Sequence, residues 1–206
     1  MVNKRVFVFI DSQNLYHSIK RAFLHSGYGK VRFNEPALVN LVCENLRNAK
    51  EPESLWDSIS IYYYMAMPSQ LEDPRLYGFW MNKRKYLVDH GVIVRSSDLV
   101  YQSSDDAGVP HSRRVRKASG ILVSLTADLV CFTSERRYDV AVIFSQNQHL
   151  QYATSRVKEL LREQQRFASL YSVYPESYRT KGNYPGINGI TWYTFGNDIY
   201  DACSHS

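Results

Sequence analysis

Arg5-Val6-Phe7-Val8-Phe9-Ile10-Asp11-Ser12-Gln13-Asn14 is the stretch whose reading decides the fold. Its near-continuous apolar run predicts a strand buried on both faces, as in a parallel α/β sheet. The run ends abruptly in an acid and three polar residues suited to a helix start. A second stretch, Asp139-Val140-Ala141-Val142-Ile143-Phe144, behaves in the same way and runs into Ser145-Gln146-Asn147-Gln148-His149. In a parallel sheet both strand ends open onto one ligand crevice. One end offers the carboxylate of Asp11. The other offers amides and an imidazole rather than carboxylates.

Strand-like and helix-like segments alternate along the rest of the chain, which predicts an α/β domain with a mainly parallel central sheet. Helices are expected over 13–26, with Leu15, Ile19, Ala22 and Phe23 on one face, and over 35–47, with Leu38, Leu41, Val42 and Leu46 inward. A strand follows at 58–67. Asp73-Pro74 opens a helix that runs to about Asp89, because proline suits the first helical position. Further strands are expected at 92–100, 138–144 and 168–173, and helices at 119–132 and 150–166. Residues 103–111 read as a loop or hairpin tip, and Arg113–Lys117 as a basic strand or approach segment. The tail is expected to hold a short strand at 190–194 and a small helix at 196–203.

The 206 residues suffice for one domain, 1–206, with a sizeable core. No apolar run is long enough for a membrane span, so no membrane partner is expected. The apolar opening leads into Asp11 rather than a small-residue cleavage site, which argues against a signal peptide. Cys43, Cys131 and Cys203 lack zinc-like spacing, and three cannot all pair. A reducing, cytoplasmic setting fits them. Cys43 and Cys131 are expected on apolar helix faces. The net charge of +5 is compatible with a polyanionic partner without establishing one. The 16 Tyr, 9 Phe and 3 Trp include rings that could stack on unpaired bases, although packing in the core explains most of them. No phosphate-loop or dinucleotide glycine fingerprint is present.

Phe9-Ile10-Asp11-Ser12-Gln13-Asn14-Leu15 resembles the opening motif of NYN domains, the PIN-like ribonuclease branch that includes LabA-like proteins. The strand at 139–144 resembles the one that leads into that family's acidic loop. One bacterial branch carries Ser-Gln-Asp-Gln-Asp-Leu there, which this chain matches as Ser145-Gln146-Asn147-Gln148-His149-Leu150. The tail Gly186-Ile187-Asn188-Gly189-Ile190-Thr191-Trp192, with Tyr200-Asp201-Ala202-Cys203, resembles the same branch. The likeness runs from residue 5 to residue 203. It implies a three-layer PIN-like fold and a site where acids gather Mg²⁺ or Mn²⁺ to cut RNA. Of five family acids only Asp11 and Asp128 match. Leu122 stands six residues before Asp128, where the family has an aspartate, and Asn147 and His149 replace the two loop acids. Asn14 and Ser145 carry over as polar site residues.

The physical expectation is a decayed cation site. Asparagine binds hard divalent ions weakly, leucine not at all, and a histidine suits Zn²⁺ or Mn²⁺ better than Mg²⁺. The leading reading is an RNA-binding pseudo-nuclease. Arg113, Arg114, Arg116 and Lys117 would contact phosphates, and Asn14, Ser145, Asn147 and His149 would position phosphate or water. One alternative is a weak single-metal ribonuclease with Asp11 and Asp128 as catalytic ligands, using Mg²⁺ or Mn²⁺. Another is a structural subunit that pairs with itself or an active paralogue, with Phe79-Trp80-Met81 offering a contact. Plainer uses exist for the same residues. Asp11 could cap a helix, Asp128 could be a solvated helix residue, and the basic run could guard an edge strand. Asp98, Asp105 and Asp106 are conceivable replacement ligands, but a hairpin tip is a poor frame for a metal.

Overall fold

The computed structural model describes residues 2–24, 31–102, 115–118 and 120–204, with the backbone alone at 101–102 and 115–118. Strands β1 (Val2–Asp11), β2 (Ser54–Met67), β3 (Ile93–Gln102), β4 (Val115–Ala118), β5 (Val140–Phe144), β6 (Ser169–Pro175) and β7 (Thr191–Phe195) form one sheet. Their order is β4-β3-β2-β1-β5-β6-β7. All neighbours are parallel except β4, which runs antiparallel to β3 at the edge. The six parallel strands, numbered among themselves, follow the doubly wound order 3-2-1-4-5-6. The chain leaves β1 toward one edge and β5 toward the other, so the sheet's switch point lies between the carboxyl ends of β1 and β5.

Helices α1 (Ser12–Phe23), α2 (Glu35–Lys50), α3 (Pro74–Asp89), α4 (Ile121–Ser134), α5 (Leu150–Glu163) and α6 (Asn197–Ser204) complete the three layers. Side-chain alternation along β1 builds both cores at once. Val6, Val8 and Ile10 pack with α1, α2 and α6, whereas Phe7 and Phe9 pack with α4 and α5. That two-sided burial is why β1 and β5 read as unbroken apolar runs. Phe7, Phe9, Tyr62, Phe132 and Tyr138 form an aromatic cluster on the α4–α5 side, with Phe7 and Phe132 edge to face at 5.5 Å.

Several boundaries differ from the sequence reading for identifiable reasons. β1 begins at Val2 and β2 at Ser54, because their exposed first halves pair with each other without an apolar signal. α1 starts at Ser12, with Asp11 as its cap, and ends at Phe23. α5 stops at Glu163, and Gln165 then takes a left-handed φ of 50°. Cys131 lies on the exposed side of α4, not on its apolar face; Cys43 is buried as expected. The loop expected at 103–111 falls outside the described residues. No described helix is long and apolar enough to cross a membrane.

Candidate functional site

Asp11 stands at the end of the central strand and does two structural jobs. Its Oδ1 accepts the backbone N–H of Asn14 at 3.1 Å, capping α1. Its Oδ2 accepts the Ser145 hydroxyl at 3.3 Å, which ties the ends of β1 and β5 together. Both residues are buried, at 5% and 1% exposure. Burial pushes the Asp11 carboxyl above its ordinary range; the bonds from Asn14 and Ser145 and a favourable interaction with His17 oppose this only in part.

A row of side chains crosses the sheet at this level. Asp11 is in register with Tyr64 of β2, and Tyr64 with Arg95 of β3. Register partners in a parallel sheet project to the same face, here toward α4. Asp128 comes down from α4 to meet the row. Its Oδ2 accepts the Tyr64 hydroxyl at 2.9 Å and Arg95 Nε at 3.2 Å. Burial and the adjacent Asp128 carboxylate both drive the Tyr64 hydroxyl well above its usual range, so it stays protonated and donates. Asp11 and Asp128 therefore share a face and a row, and Asp128 is paired there with Arg95.

The loop after β5 is held by amides. The Gln146 backbone N–H donates to Asn14 Oδ1 at 2.9 Å, so Asn14 bridges Asp11 and the loop. Gln146 Oε1 accepts from Ser18 Oγ at 2.8 Å and Arg21 Nη2 at 3.3 Å, while its Nε2 donates to the Tyr184 carbonyl. Arg21 also lies over the Tyr184 ring at 4.3 Å. Gln148 Nε2 donates to the Gly186 carbonyl at 2.8 Å and its Oε1 accepts from the Asn188 N–H at 3.2 Å. These two glutamines pin the segment before β7 onto the crevice. Asn147 Oδ1 accepts the N–H of His149 at 3.0 Å, a turn internal to the loop, and its own N–H donates to Ser145 Oγ at 3.1 Å. His149 is exposed at the start of α5 without a side-chain capping bond.

Among the sequence-expected residues, Asp11, Asn14 and Ser145 thus meet directly. Asp128 reaches the same row through Tyr64, the register partner of Asp11. Asn147 turns its carbonyl oxygen into its own loop. Leu122 is partly buried against the α4–α5 core. Arg113 and Arg114 lie outside the described residues, as do Asp105 and Asp106; of Arg116 and Lys117 the backbone is described, in β4. Asp98 is exposed on β3. Sequence reasoning missed Tyr64, Arg95, Ser18, Arg21 and the anchoring roles of Gln146 and Gln148. A lone arginine just inside the start of an apolar strand, Ile93-Val94-Arg95, was the available signal.

No three His, Cys, Asp or Glu side chains come together to hold a metal ion among the described residues. The donor set does not fit a divalent cation, because Asp128 already pairs with Arg95 and Asp11 is spent on a helix cap.

No known family profile and no curated protein matches the sequence. Among solved structures, the chain is similar to a protein of unknown function from Vibrio parahaemolyticus. The match covers 95% of this chain and 94% of that one, with a TM-score of 0.51 and 15% identity. That likeness shows a shared α/β fold over nearly the whole length.

Proposed function

We propose that this chain is a PIN-like protein of the NYN type that holds single-stranded RNA without cutting it. One observation carries the reading: Arg95 occupies the acid row and pairs with Asp128, one of the two retained acids. An internal cation offsets the carboxylate that a metal would otherwise need. A permanently charged arginine also repels a second cation nearby. The crevice sits at the switch point, where doubly wound sheets bind their ligands. Its polar framework, Asp11-Asn14-Ser145, remains bonded together as a scaffold. Arg21, which has no ion pair among the described residues, brings positive charge to its edge, in keeping with the net charge of +5 and a phosphate backbone as ligand.

The test pairs filter binding with a cleavage gel on the same single-stranded RNA. The expected result is binding that persists in EDTA and weakens with salt. Each phosphate contact contributes a slope of about −0.7 in log affinity against log salt. The gel should show no cleavage in Mn²⁺. Mn²⁺-dependent cleavage abolished by Asp11→Asn would replace this reading with the single-metal ribonuclease. A stable dimer with no RNA affinity would replace it with the structural subunit.

A further inference from the structure

Beside the crevice, on the opposite face of the sheet, lies a cavity of about 730 Å³. Ser12, the residue after Asp11, lines it. So do six aromatic rings: Tyr16, Phe33, Tyr63, Phe79, Trp80 and Tyr86. At its base is a polar cluster. Glu35, only 4% exposed, pairs with Lys83, and the buried Tyr63 also lines the cavity there, its hydroxyl held protonated by burial and by the nearby Glu35 carboxylate. Lys83 also lies 6.0 Å from the Phe33 ring centroid and 5.7 Å from that of Tyr86. Around the mouth, Phe79 is 60% and Tyr16 41% exposed. Arg32 and Asn82 line the cavity as exposed polar residues.

These features narrow the ligand. Exposed rings gain most from a flat partner that stacks on them. An acyl chain would cover the Glu35–Lys83 pair without offering it a single hydrogen bond, which is costly. That pair is neutral as a unit, so Arg32 leaves the mouth net positive and favours an anionic group. Asn82 offers both a donor and an acceptor for a heteroaromatic edge. The volume lies within the range of small-ligand sites. We propose that this cavity takes one unpaired nucleobase with its phosphate, the base among the aromatic side chains and the phosphate at Arg32. Its placement beside Asp11 makes it a base subsite of the RNA crevice, an assignment that rests on the function proposed above for the strand but not for the base.

The experiment uses the full chain with two probes: 5′-AMP, and a single-stranded RNA containing one 2-aminopurine. Ribose 5-phosphate is the control. The expected result is saturable AMP binding without ribose 5-phosphate binding, and a changed 2-aminopurine emission on RNA binding. Phe79→Ala should weaken both by about tenfold, a typical loss for one stacked ring. Its thermal midpoint should stay at the parent value, since Phe79 is mostly exposed. Arg32→Gln should weaken AMP while leaving adenosine unchanged. AMP binding without RNA binding would support the cavity as a free-nucleotide site and refute the strand reading. RNA binding with silent 2-aminopurine and an unaffected Phe79→Ala variant would overturn the cavity assignment and leave the strand reading standing. Binding of neither probe would overturn both.

Discussion

Tyr64→Phe removes one oxygen from a side chain that is fully buried and whose ring packs against Phe9. What it deletes is the donor that Asp128 accepts at 2.9 Å. A hydrogen bond to a charged acceptor contributes about 1.5–3 kcal/mol. The Asp128 side chain is 22% exposed, so water can replace part of the lost bond, and the lower end applies. The expected loss is about 1.5 kcal/mol, or roughly 3–6 °C in Tm for a chain of this size. Asp128→Ala completes a double-mutant cycle without breaking α4, since alanine is the best helix former. Urea unfolding of the four proteins should give a coupling of about 1–1.5 kcal/mol between Tyr64 and Asp128.

The matching cycle with Arg95→Ala should give less. Arg95 is 48% exposed on its side chain, so solvent screens the pair to on the order of 0.5 kcal/mol, and high salt should reduce it further. A Tyr64–Asp128 coupling within about 0.3 kcal/mol of zero would refute the reasoning. Asp128 would then be uncommitted and free to serve as a ligand, which is the opposite of what its hydrogen bonds imply.

Three further outcomes follow from the same geometry. Asp11→Asn keeps an acceptor for the Asn14 N–H but removes a buried charge. Because burial raises the folded-state pKa of Asp11, its charge opposes folding at neutral pH. The variant should be more stable than the parent at pH 7. The gain should shrink as pH falls through the raised pKa, because the parent carboxyl then protonates as well; pH-dependent melts check this, and a gain that grows on acidification would refute it. Gln148→Ala deletes the bonds to the Gly186 carbonyl and the Asn188 N–H, so amide exchange should accelerate at 186–188 while the central strands stay protected; unchanged exchange there would deny the glutamine its anchoring role. Gly186→Ala would place a Cβ 2.7 Å from both Trp192 Cδ1 and Tyr174 Cε1, and Trp192 is held by its bond to the Ile187 carbonyl. Denaturant unfolding should show a loss of about 1–3 kcal/mol, and a neutral result would mean that the two rings are free to move.

The sheet was legible because its central strands are buried on both faces. Val6–Ile10 and Val140–Phe144 could not be read as half-exposed strands or surface helices. Their shared polar ends located the crevice. The exposed starts of β1 and β2 were not legible, since backbone pairing with a neighbour leaves no trace in side-chain polarity. At the site, Asp11 was readable from its position after an apolar strand, and so was its capping role. The partners of Asp128 were not. Tyr64 and Arg95 lie 64 and 33 residues away in sequence, and only strand register brings them into one row. Of the loop residues, Asn147 reads as a weakened metal ligand, and Gln146 and Gln148 read only as part of the family-like loop. In the fold, Gln146 and Gln148 instead hold the segment before β7, a tertiary role that local sequence does not encode.

The claim beneath this account is that the crevice has exchanged an exogenous cation for Arg95. Calorimetric titration of the intact protein with Mn²⁺ tests that most directly. The predicted result is no saturable heat at micromolar to millimolar metal, for the parent and for Asp11→Asn alike. A stoichiometric micromolar site in the parent, lost in Asp11→Asn, would contradict it.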